Sequence, residues 1–279
     1  PDWLSFFMFT YFTDRDGKMQ LAALAESSFD PLSRSCRFML TEEAHHLFVG
    51  ETGVGRTVEA TCAAMNKAGI KDPYDTEAIR ALGVVDLPLL QRKANFHMSV
   101  TRDLFGSEIS SNAAEAFATG LKGRFNEAKL TDDHQLQDAT YTVTRVIDGK
   151  LVDEAVPALR AINCRLLDDY IADCQGGIDR WNKVIQKAGI DFRLTQPHKG
   201  FNRRIGEFAG QRISPDGRLL TEAEWQAGHG AWLPNDADMR FIDSLMKPCP
   251  APGQSASWIA PPARGINNQP GDFEYVKIA

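Results

Sequence analysis

The sequence predicts a mainly α-helical protein: helices packed as part of a bundle, followed by a mixed, loop-rich extension with small β-hairpins. Three observations predict it. Apolar residues recur near helical spacing through residues 3–27, and a second such run extends from Pro31 past His46 to about Asn66. TYTVTRVIDGKLVDEAV instead alternates apolar and polar residues around Asp148-Gly149, a two-residue hairpin signature. From Lys247 the text KPCPAPGQSASWIAPPARGINNQPGD is rich in Pro and Gly, hence extended and loop-like. The expected division is residues 1–125, helical, and residues 126–279, an extension packing on them.

Each element has its own signal. Phe6, Phe9 and Phe12, then Leu21 and Ala25, mark the first helix, with Gly17 as its weak point. Asp30 followed by Pro31 reads as the N-cap and first turn of the second. A short helix is expected around Asp75–Leu82 and a longer one near Pro88–Phe105. SEISSNAAEAFATGLKG continues as helix, capped by Ser107 or Ser110. ALRAINCRLLDDYIADCQGGIDRWNKVIQKAG returns to helical spacing, and RISPDGRLLT offers a second hairpin at Asp216-Gly217. In the tail, Trp258 and Ile259 predict packing along the surface.

Composition bounds the function. The chain has 279 residues, 43% of them hydrophobic, enough for a substantial core. A net charge of −6 argues against a broad nucleic-acid footprint, though a local basic cluster could hold a small anion. The five cysteines form no close pair and read as reduced thiols, which with the absence of a signal peptide predicts a cytoplasmic protein. LSFFMFTYF is too short to span a bilayer, so no membrane partner is expected. PDWLSFFMF lacks Met and begins close to a helix start, as a piece of a longer protein would.

TEEAHHLFVGETGVGRT, residues 41–57, carries two competing signals. GETGVGRT fits the phosphate-loop spacing except that Arg56 stands where Lys belongs, and the residues before it look helical rather than strand-like. Gly50, Gly53 and Gly55 are better read as sites of close helix packing or a local bulge. EEAH and EAHH are both Glu-x-x-His, which places a carboxylate and an imidazole on one helix face. The stripe through Cys36, Met39, Glu43, His46 and Gly50 carries more core-type residues than the one through Phe38, Glu42, His45 and Val49. Glu43 and His46 are therefore the expected metal ligands, with Glu42, His45 and Gln20 as supporting groups around them. Counting back across the turn at residues 28–31 from the Glu43/His46 midpoint lands near position 14. Asp14 is the expected partner carboxylate, with Asp16 as the fallback. His97, His134, His198 and His229 each lack Glu three residues earlier, so the chain carries half of a two-metal site: either the protein binds one metal, or, as the abrupt start favours, the other half precedes Pro1.

FTDRDGKMQLAALAESSFDPLSRSCRFMLTEEAHHLFVGETGVGR resembles the oxygenase component of the benzoyl-CoA epoxidase family. The likeness continues through RDLFGSEISSNAAEAFATGLKGRFNE and WIAPPARGINNQPGDFEYVKIA. It implies part of a ferritin-like four-helix bundle with two iron ions, in which Asp14, Glu43 and His46 are ligands from the third and fourth helices. It also implies that O2 is used to convert benzoyl-CoA to its 2,3-epoxide, with electrons from a separate NADPH-dependent flavin and iron–sulfur reductase. Phe6, Phe9 and Met39 would wall the site, and Lys199, Arg203, Arg204 and Arg264, with Phe201 to stack, would meet the coenzyme A phosphates. The competing readings are another ferritin-like di-iron oxygenase or desaturase acting on an acyl-CoA, and a metal-free helical scaffold. The ligand face should be exposed without the other two bundle helices, and this chain alone should then be poorly stable.

Overall fold

The computed structural model describes residues 2–123, 139–249 and 256–263. It is mainly α-helical, with one small antiparallel sheet among the described residues.

Helix α1 (Trp3–Leu24) starts where the Asp2 carboxylate accepts the Ser5 N–H at 2.7 Å. Helix α2 (Asp30–Ala68) is a single run of 39 residues, roughly 58 Å long. Pro31 sits in its first turn as expected. Asp30 does not cap it: Phe29 holds the cap position, and the Asp30 carboxylate pairs with Arg34 at 2.6 Å instead. At the far end Gly69 adopts φ 74°, and the Ile70 N–H returns to the Met65 carbonyl, closing the helix in the way glycine permits. Helices α3 (Thr76–Ala81), α4 (Leu87–Asp103) and α5 (Ser111–Ala118) begin at Asp75, Asp86 and Ser110, each accepting an N–H of the first turn.

Strands β1 (Thr140–Ile147) and β2 (Lys150–Pro157) pair antiparallel, with Ile147 opposite Lys150. Asp148 and Gly149 both have positive φ, the geometry that an Asp-Gly hairpin turn demands. A 3-10 turn (Ala158–Ala161) leads into helix α6 (Ile162–Lys187). The second expected hairpin, around Asp216-Gly217, is a minimal one: the chain doubles back through the single antiparallel bridge Ile213–Leu219, with the Leu220 N–H on the Arg212 carbonyl at 2.7 Å and the Ser214 N–H on the Arg218 carbonyl at 2.9 Å. Two further helices, α7 (Glu222–Trp232) and α8 (Asp236–Leu245), follow. Both open on reciprocal capping boxes, Thr221 with Glu224 and Asn235 with Asp238.

α1 is packed against α2, α4 and α6. Its buried side presents Leu4, Met8, Tyr11, Phe12 and Met19 to a core shared with α2, α4, α6 and α8. That core joins residues on both sides of the expected division, whose boundary itself lies outside the described residues. The Tyr11 hydroxyl donates to the Cys174 carbonyl at 3.0 Å and accepts the Gly177 N–H at 3.1 Å, tying α1 to α6. The tail returns to α2: Trp258 is buried, and Arg56 and Ala260 exchange hydrogen bonds.

Several large apolar side chains of the helical layer are open to solvent. Phe6 and Phe9 on α1, Phe38 and Phe48 on α2, and Phe96 and Val100 on α4 are between 41% and 71% exposed.

Candidate metal centre

GETGVGR lies wholly inside α2, which removes the phosphate-loop reading. Its glycines set the approach of α1. A Cβ on Gly50 would lie 2.4 Å from the Tyr11 backbone nitrogen and 2.8 Å from the Phe7 carbonyl oxygen. A Cβ on Gly53 would lie 2.3 Å from the Phe7 ring. The antiparallel pair therefore runs nearly backbone to backbone there, and the residues beyond, toward the α1–α2 turn, are brought face to face.

Asp14, Glu43 and His46 meet in that region. Their potential ligand atoms all lie within 4.8 Å of one another. His46 Nδ1 is 3.6 Å from Asp14 Oδ2 and 3.7 Å from Glu43 Oε2. Metal–ligand bonds of about 2.0–2.2 Å put two donors of one ion at most about 4.4 Å apart. A contraction of a few tenths of an ångström would thus place all three on one cation.

The electrostatics lean the same way. Burial pushes the Glu43 carboxyl up from its ordinary range, and the Asp14 charge adds to the push, while His46 opposes it. Burial likewise raises Asp14, offset by His46. Glu43 Oε2 is buried and has no hydrogen-bond partner. Two carboxylates held together with one buried oxygen unsatisfied form a site that gains from a cation. Hard carboxylate oxygens with one imidazole are a donor set suited to iron, so these residues fit such an ion. Gly17, the weak point of α1, lies beside the cluster: a Cβ there would make an ordinary contact with Glu43 Oε1 at 3.4 Å.

The supporting residues divide. Glu42 and His45 are exposed and outside the cluster. Asp16, the fallback ligand, is corrected to a different role: two residues along a helix is about 200° of rotation, so it faces away from Asp14. It is buried and accepts the Gln20 amide at 3.1 Å, and the Gln20 oxygen accepts from the Lys122 ammonium. Burial pushes the Asp16 carboxyl up to about 6, with Gln20 and Lys122 opposing. Arg15 lies between the two aspartates, pairs with Asp173 at 2.6 Å and covers the Tyr11 ring at 4.4 Å. Arg15, Gly17 and Lys122 were not among the residues expected from sequence. No local motif marks Arg15 or Lys122, because their partners lie about a hundred residues away or more.

Two members of the basic cluster, Arg203 and Lys199, are paired within the protein. Arg203 is buried, bonded through Nε to Asp103 at 2.7 Å and through Nη1 to Glu108 at 2.8 Å. Lys199 pairs with Asp168 at 3.3 Å. Arg204 is exposed, its main-chain N–H directed at Asp103. Phe201 is buried against Trp225 and is not free to stack on a ligand. Arg264 lies outside the described residues. Of the expected wall, Phe6, Phe9 and Met39 are exposed.

No protein-family model matches the chain. Over 278 residues it is 60% identical to benzoyl-CoA oxygenase component B of Aromatoleum evansii. That match takes in the whole of this chain and 58% of the relative's length. At this identity over its whole length, the chain belongs to the family of benzoyl-CoA oxygenase component B.

Proposed function

We propose that this chain contributes Asp14, Glu43 and His46 to a di-iron centre of an oxygenase that epoxidises the ring of benzoyl-CoA at the 2,3 position. The observation that carries the reading is the unsatisfied, buried Glu43 Oε2 beside a second carboxylate and an imidazole. The relative's name supports the substrate, and its designation as a component supports a separate electron-donating partner, here proposed as an NADPH-dependent reductase.

Iron bound there supplies the redox capacity for activating O2. The chain's own part is to hold and orient. α1 and α2 present the three donors from adjacent turns, and Gly50 and Gly53 keep the helices close enough for those donors to converge. The exposed apolar side chains nearest the ligand faces, Met39 on α2 and Phe6 on α1, would be covered by further ligand-bearing helices, excluding water and leaving an apolar space suited to a benzoyl ring. The remaining ligands of a two-iron site come from outside the described residues, among which this is the one group of at least three metal-capable side chains.

The test is anaerobic loading with ferrous iron followed by metal analysis. Wild type should retain iron, and Asp14→Ala, Glu43→Ala and His46→Ala should each lose at least half of it. Equal retention by wild type and all three variants would sink the proposal.

A further inference from the structure

Four consecutive residues of α1, Thr13 to Asp16, are tied in four different directions. The Thr13 hydroxyl meets the Thr101 hydroxyl of α4 at 3.0 Å. Asp14 faces His46 of α2. Arg15 pairs with Asp173 of α6. Asp16 holds Gln20, whose oxygen accepts from Lys122, just beyond α5. Successive helix residues are about 100° apart, so these contacts surround the axis within little more than one turn.

The consequence is rotational. A carboxylate tip on a helix lies about 6 Å from the axis, so a rotation of only about 5° displaces it by roughly 0.5 Å. That is the tolerance within which a binding constellation has to be held. Gly50 fixes the separation of α1 from α2 but does not fix the rotation of α1. Asp14 itself makes only a 3.6 Å contact to His46 and cannot set its own direction. The ties on the other sides can.

We propose that Arg15 and Lys122 are positioning residues: anchored to Asp173 and Gln20, they set the rotation of α1 that aims Asp14 at Glu43 and His46. This rests on the metal reading given above. Both groups are built for the task. The Arg15 side chain is 7% exposed and bears on Tyr11 as well as Asp173. Lys122 reaches across from a segment that is itself tied to α1 by the Gly123 N–H on the Ala23 carbonyl, 2.8 Å.

Cobalt(II) is the probe, added to the purified chain and read by its visible absorption and by titration. Arg15→Met and Lys122→Met should weaken cobalt binding about fivefold to tenfold and alter the visible band, at a temperature where circular dichroism shows both folded. Arg15→Lys, which retains the charge, should recover part of the loss. Arg92→Met, which breaks the Arg92–Asp238 ion pair instead, should lower stability and leave cobalt affinity within twofold. Wild-type cobalt affinity in Arg15→Met and Lys122→Met would overturn the proposal, as would an equal loss in Arg92→Met. If wild type binds no cobalt, or Asp14→Ala, Glu43→Ala and His46→Ala bind it unchanged, the metal reading itself fails and this inference fails with it.

Discussion

Gly50→Ala and Gly55→Ala lie five residues apart in α2, and helix propensity treats them alike. Alanine is favoured over glycine in a helix interior by up to about 1 kcal/mol, so on propensity both should stabilise. The packing separates them. At Gly55 the nearest atom to an added Cβ is Trp181 Cδ1 at 3.5 Å, an ordinary contact. At Gly50 the nearest atom is the Tyr11 backbone nitrogen at 2.4 Å, with Thr10 Oγ1 at 2.7 Å and the Phe7 carbonyl oxygen at 2.8 Å. Restoring an ordinary 3.4 Å contact requires α1 to retreat by about 1 Å, the difference between 3.4 and 2.4 Å. Two of the three obstacles are backbone, so no rotamer change relieves them.

Overpacking of this kind costs about 1–3 kcal/mol, and the propensity gain offsets only part of it. Gly50→Ala should lose about 1–2 kcal/mol while Gly55→Ala gains up to about 1 kcal/mol. In a chain of this size that is a fall of several degrees in melting temperature against a rise of about 2 °C. Urea titration with matched slopes separates the stability change from a change in the unfolded state. Gly50→Ala should also weaken cobalt binding, because a 1 Å retreat of α1 carries Asp14 out of reach. If Gly50→Ala stabilises as Gly55→Ala does, the close approach of α1 and α2 is wrong and so is the route by which the three donors converge.

Glu43→Gln removes one of two crowded carboxylates, so it should raise the melting temperature of the metal-free protein slightly, by a few tenths of a kcal/mol. The same variant should lose the stabilisation that added cobalt gives wild type, and melts with and without cobalt check both halves. His97 is pushed down to about 4 by burial, with the Lys93 charge adding and Asp2 opposing. Its folded form therefore binds a proton less readily than its unfolded form. Stability should be full above about pH 6.5 and fall toward pH 4, by at most about 3 kcal/mol. His97→Asn should flatten that limb of a stability–pH curve; an unchanged curve would refute the assignment. Arg203→Met should cost about 3–5 kcal/mol by stranding Asp103 and Glu108, whereas Arg204→Ala should stay within about 0.5 kcal/mol in the same denaturation assay.

The local features of the fold were legible because their causes are local. Pro31, the Asp148-Gly149 turn and the helical stripe through Glu43 and His46 all act over a few residues, and each appears in the structure close to where its spacing put it. Counting across the α1–α2 turn worked for Asp14 because two antiparallel helices joined by a short turn leave little freedom of register. The same count preferred Asp14 to Asp16, and Asp14 is the one beside His46, because two residues along a helix turn a side chain by about 200°. Arg203 misled for the opposite reason. A cluster of basic residues in a loop reads as available for phosphate until Asp103 and Glu108, distant in sequence, are seen to enclose it. The capping boxes of α7 and α8 were present as Thr-x-x-Glu and Asn-x-x-Asp, but helices of 11 and 10 residues span only about three turns, too few for a repeat to stand out.

The stability costs concentrated along one helix pair argue between the metal reading and a metal-free scaffold. Gly50 and Gly53 each forgo up to about 1 kcal/mol of helix propensity so that α1 can approach, and a like-charged pair is desolvated two to three turns away along the same two helices. Net folding stability is typically only about 5–15 kcal/mol, so this is a sizeable share. A polar network that merely joined two helices would be expected to direct a donor at Glu43 Oε2, as the same fold directs two arginines at Asp238 and an arginine and a lysine at Asp173. The helical layer has such donors available in Arg15 and Lys18, and it turns both toward α6 rather than toward Glu43. Keeping cations of its own away from two adjacent carboxylates leaves the pair free for a cation from solution, an attraction that strengthens as the pair is withdrawn from water.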